Sequence, residues 1–241
     1  MGDFHHDVRF GANVDPTAND PGWPLQLTRA IERAGLELIG IQDHPYNAGF
    51  LETWTLIATL LQATERVHIF PNVANLPLRP PAMLAKAAAT LDVLSGGRVE
   101  LGLGAGAFRE GIEAMGGPGR SRGESIEALE EAVQIIHAFW SGTHALRFEG
   151  KHYAVKGAHP GPRPAHPIGL WLGSYALVRW DSWGAWQMAG CPAARTRPRN
   201  ACPRCNSALT TPPWPLAASH KIFAGSTTSW ASSPLVRCKI C

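Results

Sequence analysis

An α/β fold built on a parallel sheet is what the sequence predicts, and three observations predict it. Strand-like and helix-like stretches alternate through residues 1–175, the pattern of parallel strands joined by crossover helices. Glycine and proline punctuate the junctions between those stretches. Polar and glycine-rich residues gather where strands would end, at Asp43-His44, Asn72, Asn75 and Gly104 to Gly106, which is where such folds bind ligands. Two architectures share this pattern: an open doubly wound sheet and a (β/α)8 barrel.

The elements follow in order. Val8–Val14 reads as a first strand. The segment "WPLQLTRAIERAG" follows as a helix, with Leu25, Ile31 and Ala34 at helical spacing and Gly35 as its stop. "LELIGIQD" is a second strand and "LETWTLIATLLQATE" a second helix. "VHIFPNV" is a third strand. After a Pro-rich loop comes the helix "PAMLAKAAATLDVLSGG", with proline near its start and glycines after its end. "RVELGLGAG" is a fourth strand, "RGESIEALEEAVQIIHAFW" a strongly amphipathic helix, "ALRFEGKHYAV" a hairpin, and "PIGLWLG" a fifth strand.

After Tyr175 neither period persists, and Pro, Ser, Arg, Trp and Cys dominate, the composition of a disordered segment. Eight basic residues stand there against Asp181 alone, giving +7 and leaving −4 for residues 1–175. No aromatic or helical pattern organises that charge for nucleic acid or lipid, so neither partner is expected. All five cysteines lie in the same segment, and the first 175 residues give no sign of a disulfide framework. The N-terminus lacks a basic region followed by an apolar core, and no apolar run reaches membrane-spanning length. A cytoplasmic protein is the expectation.

The genetic code explains the change at Tyr175. Trp has one codon and Met one, so "WQMAG" (Trp186–Gly190) is nearly fixed as nucleotides. Read from the third base of Trp186, the next codons spell Ala, then Asp or Asn, then Gly. Extended back to Ala176, the shifted frame permits "GPRALGLLGRLADGWLP" if one G was lost directly after Tyr175. Residues 176–241 are therefore read as a frameshifted tail, and residues 1–175 as an incomplete domain. The rival reading is zinc on Cys202, Cys205, Cys238 and Cys241. The wide separation of the two pairs and the absence of strand pattern between them speak against it.

The segments "IQDHP", "PNVANLPLRPPAMLAKAAATLDVLSGGRVELGLGAGAF" and "GESIEALEEAVQIIHAFW" closely resemble the luciferase-like monooxygenase superfamily, nearest its coenzyme F-420 (8-hydroxy-5-deazaflavin)-dependent oxidoreductases. The resemblance covers residues 8–175, and a "GRLADGW"-like stretch follows strand five in that family. It implies a (β/α)8 TIM barrel of the bacterial-luciferase type, here truncated after about five strands. It also implies hydride transfer between F-420 and a small organic substrate, with FMN-dependent oxygenation as the alternative. Homodimers are common in the family. Five strands leave two open edges and lack the loops after strands seven and eight that hold phosphate in many barrels. The chain as written is therefore expected to be aggregation-prone and inactive, a non-catalytic fragment.

Asp43 and His44 are the candidate catalytic residues: a carboxylate and an imidazole at a strand's C-terminal end can hold or move a proton. By resemblance Asp43 contacts the deazaflavin ring, and His44 is the acid or base beside the hydride-transfer carbon. Related enzymes carry a non-prolyl cis peptide in a bulge behind the ring, and Asn72–Val73 is the candidate position. Gly104, Ala105 and Gly106 complete the cofactor set. Gly102-x-Gly104-x-Gly106 ends a fourth strand instead of opening the first βα unit, so it is no dinucleotide fingerprint; it suits close approach of a flat ring. Some sugar-phosphate-oxidising relatives have a catalytic Glu just after this turn, where this chain has Ala107-Phe108. Arg79 is read as a structural charge or an anion partner, and Trp54 as core. His137, His144, His152, His159 and His166 show no metal-ligand spacing and are read as surface residues, so no metal is expected.

Overall fold

The computed structural model describes residues 9–142 and 145–173, together with the two-residue strand Ile222–Phe223. Strands β1 (Gly11–Val14), β2 (Leu38–Ile41) and β3 (His68–Pro71) pair in parallel, in that order. The third strand breaks after Pro71 and resumes as β4 (Ala74–Asn75), which pairs with β5 (Leu101–Gly104). A parallel bridge between Ile69 and Val99 joins β3 to the segment leading into β5. Separated from β5 by an antiparallel hairpin of β6 (Leu146–Glu149) and β7 (Ala154–Ala158), β8 (Leu170–Gly173) then pairs with β5. Neighbours in the parallel wall are thus successive strands of the βα series, and their order never reverses. A doubly wound sheet requires a reversal; a barrel does not. The wall follows the barrel course.

Ile222–Phe223, termed β9, pairs in parallel with Leu172 and Gly173 of β8. The expectation of a tail without strand structure is revised at these two residues. The five cysteines, the string around Trp186 and His144 lie outside the described residues.

Alternation along the strands separates two faces. Ile39, Ile41, Ile69, Leu101, Leu103, Leu170 and Leu172 are buried against the helices in the main core. Each such side chain contributes about 1.5–3 kcal/mol when fully buried. The opposite, inner face carries Leu38, Phe70 and Trp171, which form a separate cluster, and the glycines 40, 102, 104 and 173. Phe70 and Trp171 meet edge-on with centroids 4.5 Å apart.

The helices form where capping and periodicity place them. Helix α1 (Trp23–Arg33) ends ahead of Gly35, at φ +80°. Helix α2 (Thr53–Gln62) is capped by Glu52, whose carboxylate accepts from Thr55 N–H. Helix α3 (Pro81–Ser95) starts on its proline and ends at Gly96 in the left-handed conformation. A short α4 (Arg109–Ala114) follows β5; its six residues are too few to carry a periodic signal, so it was not among the expected elements. Helix α5 (Arg122–Trp140) opens with a reciprocal capping box between Ser121 and Glu124. Ala85 and Ala88 of α3 and Ala128 and Ala132 of α5 are fully buried. Trp140 Nε1–H donates to the Ala85 carbonyl at 2.9 Å, tying the two helices together.

One carboxylate organises the return from α2 to β3. Glu32 Oε1 accepts the backbone N–H groups of Glu65, Arg66 and Val67 at 2.9, 2.7 and 3.1 Å. Burial would raise the Glu32 pKa, but these donors outweigh it and the net shift is downward. Glu32→Ala leaves the three donors without their acceptor and is expected to cost about 1–3 kcal/mol in urea unfolding. A loss below a few tenths would contradict the assigned role.

Candidate active site

The C-terminal ends of β2, β3, β4 and β5 bring the expected residues to one end of the wall. Asp43, two residues past β2, is 2% exposed. Its carboxylate accepts Asn75 N–H at 2.9 Å and a two-pronged pair from Arg79, Nε and Nη2 each at 2.8 Å. Arg79 Nη2 also reaches Glu52 Oε1 at 2.6 Å, and its guanidinium lies 5.8 Å from the Trp54 ring centre. Burial disfavours the Arg79 charge, but the hydrogen bonds and charges of Asp43 and Glu52 prevail and raise its pKa. The Asp43 side chain is 0% exposed, so its carboxylate faces Arg79 instead of a ligand. The expectation of direct ring contact by that carboxylate does not match this orientation. Asp43 is a positioning residue here, holding β2, β4 and the start of α3 in register.

His44, the next residue, is exposed. Its Nδ1 sits 2.7 Å from the Tyr46 hydroxyl, and its ring is flanked by Tyr46 and Phe50, with centroids at 5.5 and 6.4 Å. Phe108 extends this aromatic rim, 5.1 Å from Tyr46. Desolvation by these neighbours lowers the His44 pKa and the Asp43 charge opposes it; the net shift is downward. With Nδ1 engaged by Tyr46, Nε2 is the atom left for a ligand.

The Asn72–Val73 peptide bond is cis. Asn72 N–H donates to the Ile41 carbonyl at 2.6 Å, and its side-chain amide donates to Asn13 Oδ1 at 2.9 Å, linking β1 and the β3 end across the inner face. Val73 then rests on glycines of two other strands. A Cβ on Gly102 would stand 3.1 Å from Val73 Cγ1 and 2.2 Å from the Pro71 carbonyl oxygen. On Gly104 or Gly173 it would stand 2.6 or 2.9 Å from Val73 Cγ2. The glycines are therefore what lets Val73 lie on the inner face. Gly102→Ala drives a methyl into backbone and is expected to cost about 1–3 kcal/mol or more; thermal unfolding reads it, and an unchanged midpoint would refute the packing account. Gly106, at φ +87°, packs against Pro77, and Ala105 is half-buried against the core.

Several contributors escaped sequence reasoning. Asn13, Tyr46, Gly40 and Gly173 take part, and only the period-2 recurrence of glycine in "GLGAG" hinted at a glycine-lined inner face. The histidine reading is also corrected. His166 is half-buried, with Nδ1 2.8 Å from Asp92 Oδ1, and with His68 and Glu100 it forms a compact group at the opposite end of the strands. His152 is nearly covered and pairs with Glu127 at 3.0 Å. These residues come from separate elements, so spacing along the chain could not show them together. Trp54, 8% exposed, is core. Among the described residues, no helix is long and apolar enough to cross a membrane.

Fold and site define a parallel β/α barrel wall with a glycine-lined ligand end and a histidine at its rim. The profile of the luciferase-like monooxygenase family matches residues 5–178, and the chain belongs to that family. An uncharacterized protein of Mycobacterium tuberculosis is 35% identical over 186 residues, 66% of this chain and 63% of that protein. The chain therefore spans somewhat under two thirds of that relative's length. Pyrimidine monooxygenase RutA of Bradyrhizobium is 38% identical over 120 residues, 49% of this chain and 33% of the enzyme. The F420-dependent glucose-6-phosphate dehydrogenase of Gordonia bronchialis is 27% identical over 175 residues, 69% and 51% of the two chains. Among solved structures, an F420-dependent secondary alcohol dehydrogenase in complex with an F420-acetone adduct superposes with a TM-score of 0.64 at 23% identity, covering 70% of this chain and 53% of that one. This last likeness concerns the fold.

Proposed function

We propose that the family scaffold in this chain is that of an F420-dependent oxidoreductase acting on a small organic substrate. The observation that carries the reading is Val73 seated on Gly102, Gly104 and Gly173 at the ligand end of the wall, with His44 at its rim. A flat tricyclic ring fits such a floor: Val73 offers an apolar platform, and the glycines keep side chains out of its plane. When bound, the deazaflavin supplies a two-electron hydride donor or acceptor. The protein's part is to orient and to manage the proton. Tyr46 fixes the His44 ring through Nδ1, and Nε2 takes the hydroxyl proton of an alcohol substrate or returns it to a carbonyl. Desolvation lowers its pKa against the opposing charge of Asp43, which favours the neutral imidazole a base requires. Asp43 and Arg79 hold the loop that carries His44.

The similarity to a pyrimidine monooxygenase favours a second reading, oxygen insertion, and with it the FMN alternative that the family resemblance implies. The family match ends at residue 178, just past Tyr175, which supports reading residues 176–241 as out of frame. Adding one G after the Tyr175 codon is the experiment. The restored protein is expected to bind F420 and to oxidise alcohols, with the chain as written doing neither. Equal affinity in both proteins would refute the frameshift reading.

A further inference from the structure

The group at the other end of the strands has the chemistry of a metal site. His68 opens β3, Glu100 immediately precedes β5, and His166 lies in the segment entering β8. One ligand atom from each falls within 4.8 Å of the other two. Among the described residues His68 Nδ1 and His166 Nε2 are buried without a hydrogen-bond partner; each lies at ion-pair distance, 3.6 and 3.7 Å, from the same oxygen, Glu100 Oε1. Those separations are too long for hydrogen bonds. They are close to the separation of about 3.3–3.4 Å between two ligands on one tetrahedral zinc, given bonds of about 2.0–2.1 Å.

The surroundings complete the pattern. Asp92, fully buried in α3, faces His166 Nδ1 at 2.8 Å and accepts the backbone N–H groups of Ala165 and His166. His166 Nε2 faces Glu100 as an ion-pair partner; a cation would displace the Nε2 proton while Asp92 keeps the one on Nδ1, the carboxylate–histidine–metal arrangement of known sites. The second oxygen of Glu100 accepts Gly169 N–H at 2.7 Å, which fixes the carboxylate and aims Oε1 inward. Arg9 approaches Oε1 at 3.5 Å from a partly exposed position. A depression of about 230 Å³, lined by Arg9, Glu37, Arg66 and His68 among others, adjoins the group on its His68 side.

We propose that His68 Nδ1, Glu100 Oε1 and His166 Nε2 bind a divalent late first-row cation, zinc by ligand type, with the fourth position open to water. The ion would cross-link the starts of β3, β5 and β8 at the end of the wall opposite His44. This stands independently of the F420 reading.

The test uses the full chain on a solubility partner free of metal-binding groups, with its cysteines alkylated, stripped with a chelator and titrated with Zn2+ by calorimetry. Alkylation removes the thiols of the tail as competitors. One equivalent is expected, with Co2+ giving the visible absorption of a nitrogen- and oxygen-ligated tetrahedral or five-coordinate ion. Glu100→Gln and His166→Ala are each expected to weaken Zn2+ binding at least tenfold and to abolish the zinc-induced rise in Tm. Circular dichroism of each apo variant confirms that it is folded, and His68→Gln serves if either is not. No binding by the parent, or equal binding by parent and folded variants, would overturn the proposal.

Discussion

Arg79→Met is expected to destabilise the protein by about 3–5 kcal/mol, the usual cost of removing one partner from a buried ion pair. Asp43 keeps a side chain with no exposure and loses both prongs of its guanidinium partner, while among the described residues Asn75 N–H remains to it. Most of the effect is the stranded carboxylate and not the loss of an attraction. It follows that Asp43→Leu combined with Arg79→Met, which removes both charges, should recover much of the loss. Urea unfolding of the two single variants and the double variant measures this. A single-variant cost below 1 kcal/mol would mean that Arg79 does not organise the loop carrying His44.

His44→Ala is expected to lower kcat of the frame-restored enzyme by about 10²–10⁴, the range for a positioned general acid or base. Binding of the cofactor ring should change little, because the floor is made by Val73 and the glycines. The pH profile carries the sharper signature. The folded-state pKa of His44 lies below its ordinary value, burial outweighing the Asp43 charge. The base is neutral above that pKa, so the acid limb of alcohol oxidation should fall at a lower pH than an ordinary histidine would give. Tyr46→Phe removes the hydroxyl that fixes Nδ1 and should lower kcat more than it raises KM. An activity loss under fivefold in His44→Ala would remove His44 from the proton path.

The sequence was most legible where periodicity is local. The extent of α5 was readable from its apolar stripe, and the structure starts and ends the helix at Arg122 and Trp140 with Ser121 as its cap. All five barrel strands fall within the stretches that alternation marked. The choice between an open sheet and a barrel was not legible, since both share the same local pattern; the order of pairing decides it. At the site, Asp43, His44 and Asn72 stood out because polar residues followed apolar runs, while the Asn72–Val73 bond was singled out by the family resemblance. Their partners did not, because Arg79 and Asn13 reach them from 36 and 59 residues away. The same limit hid His166, whose neighbours Asp92 and Glu100 belong to a helix and a strand end that only the fold brings together.

Equilibrium titration of the frame-restored protein with F420 and with FMN, followed by quenching of cofactor fluorescence, tests the central claim most directly. Saturable F420 binding that Gly104→Val abolishes, with no saturation by FMN, is the predicted result. Saturation by FMN alone, or F420 binding indifferent to Gly104→Val, would contradict it.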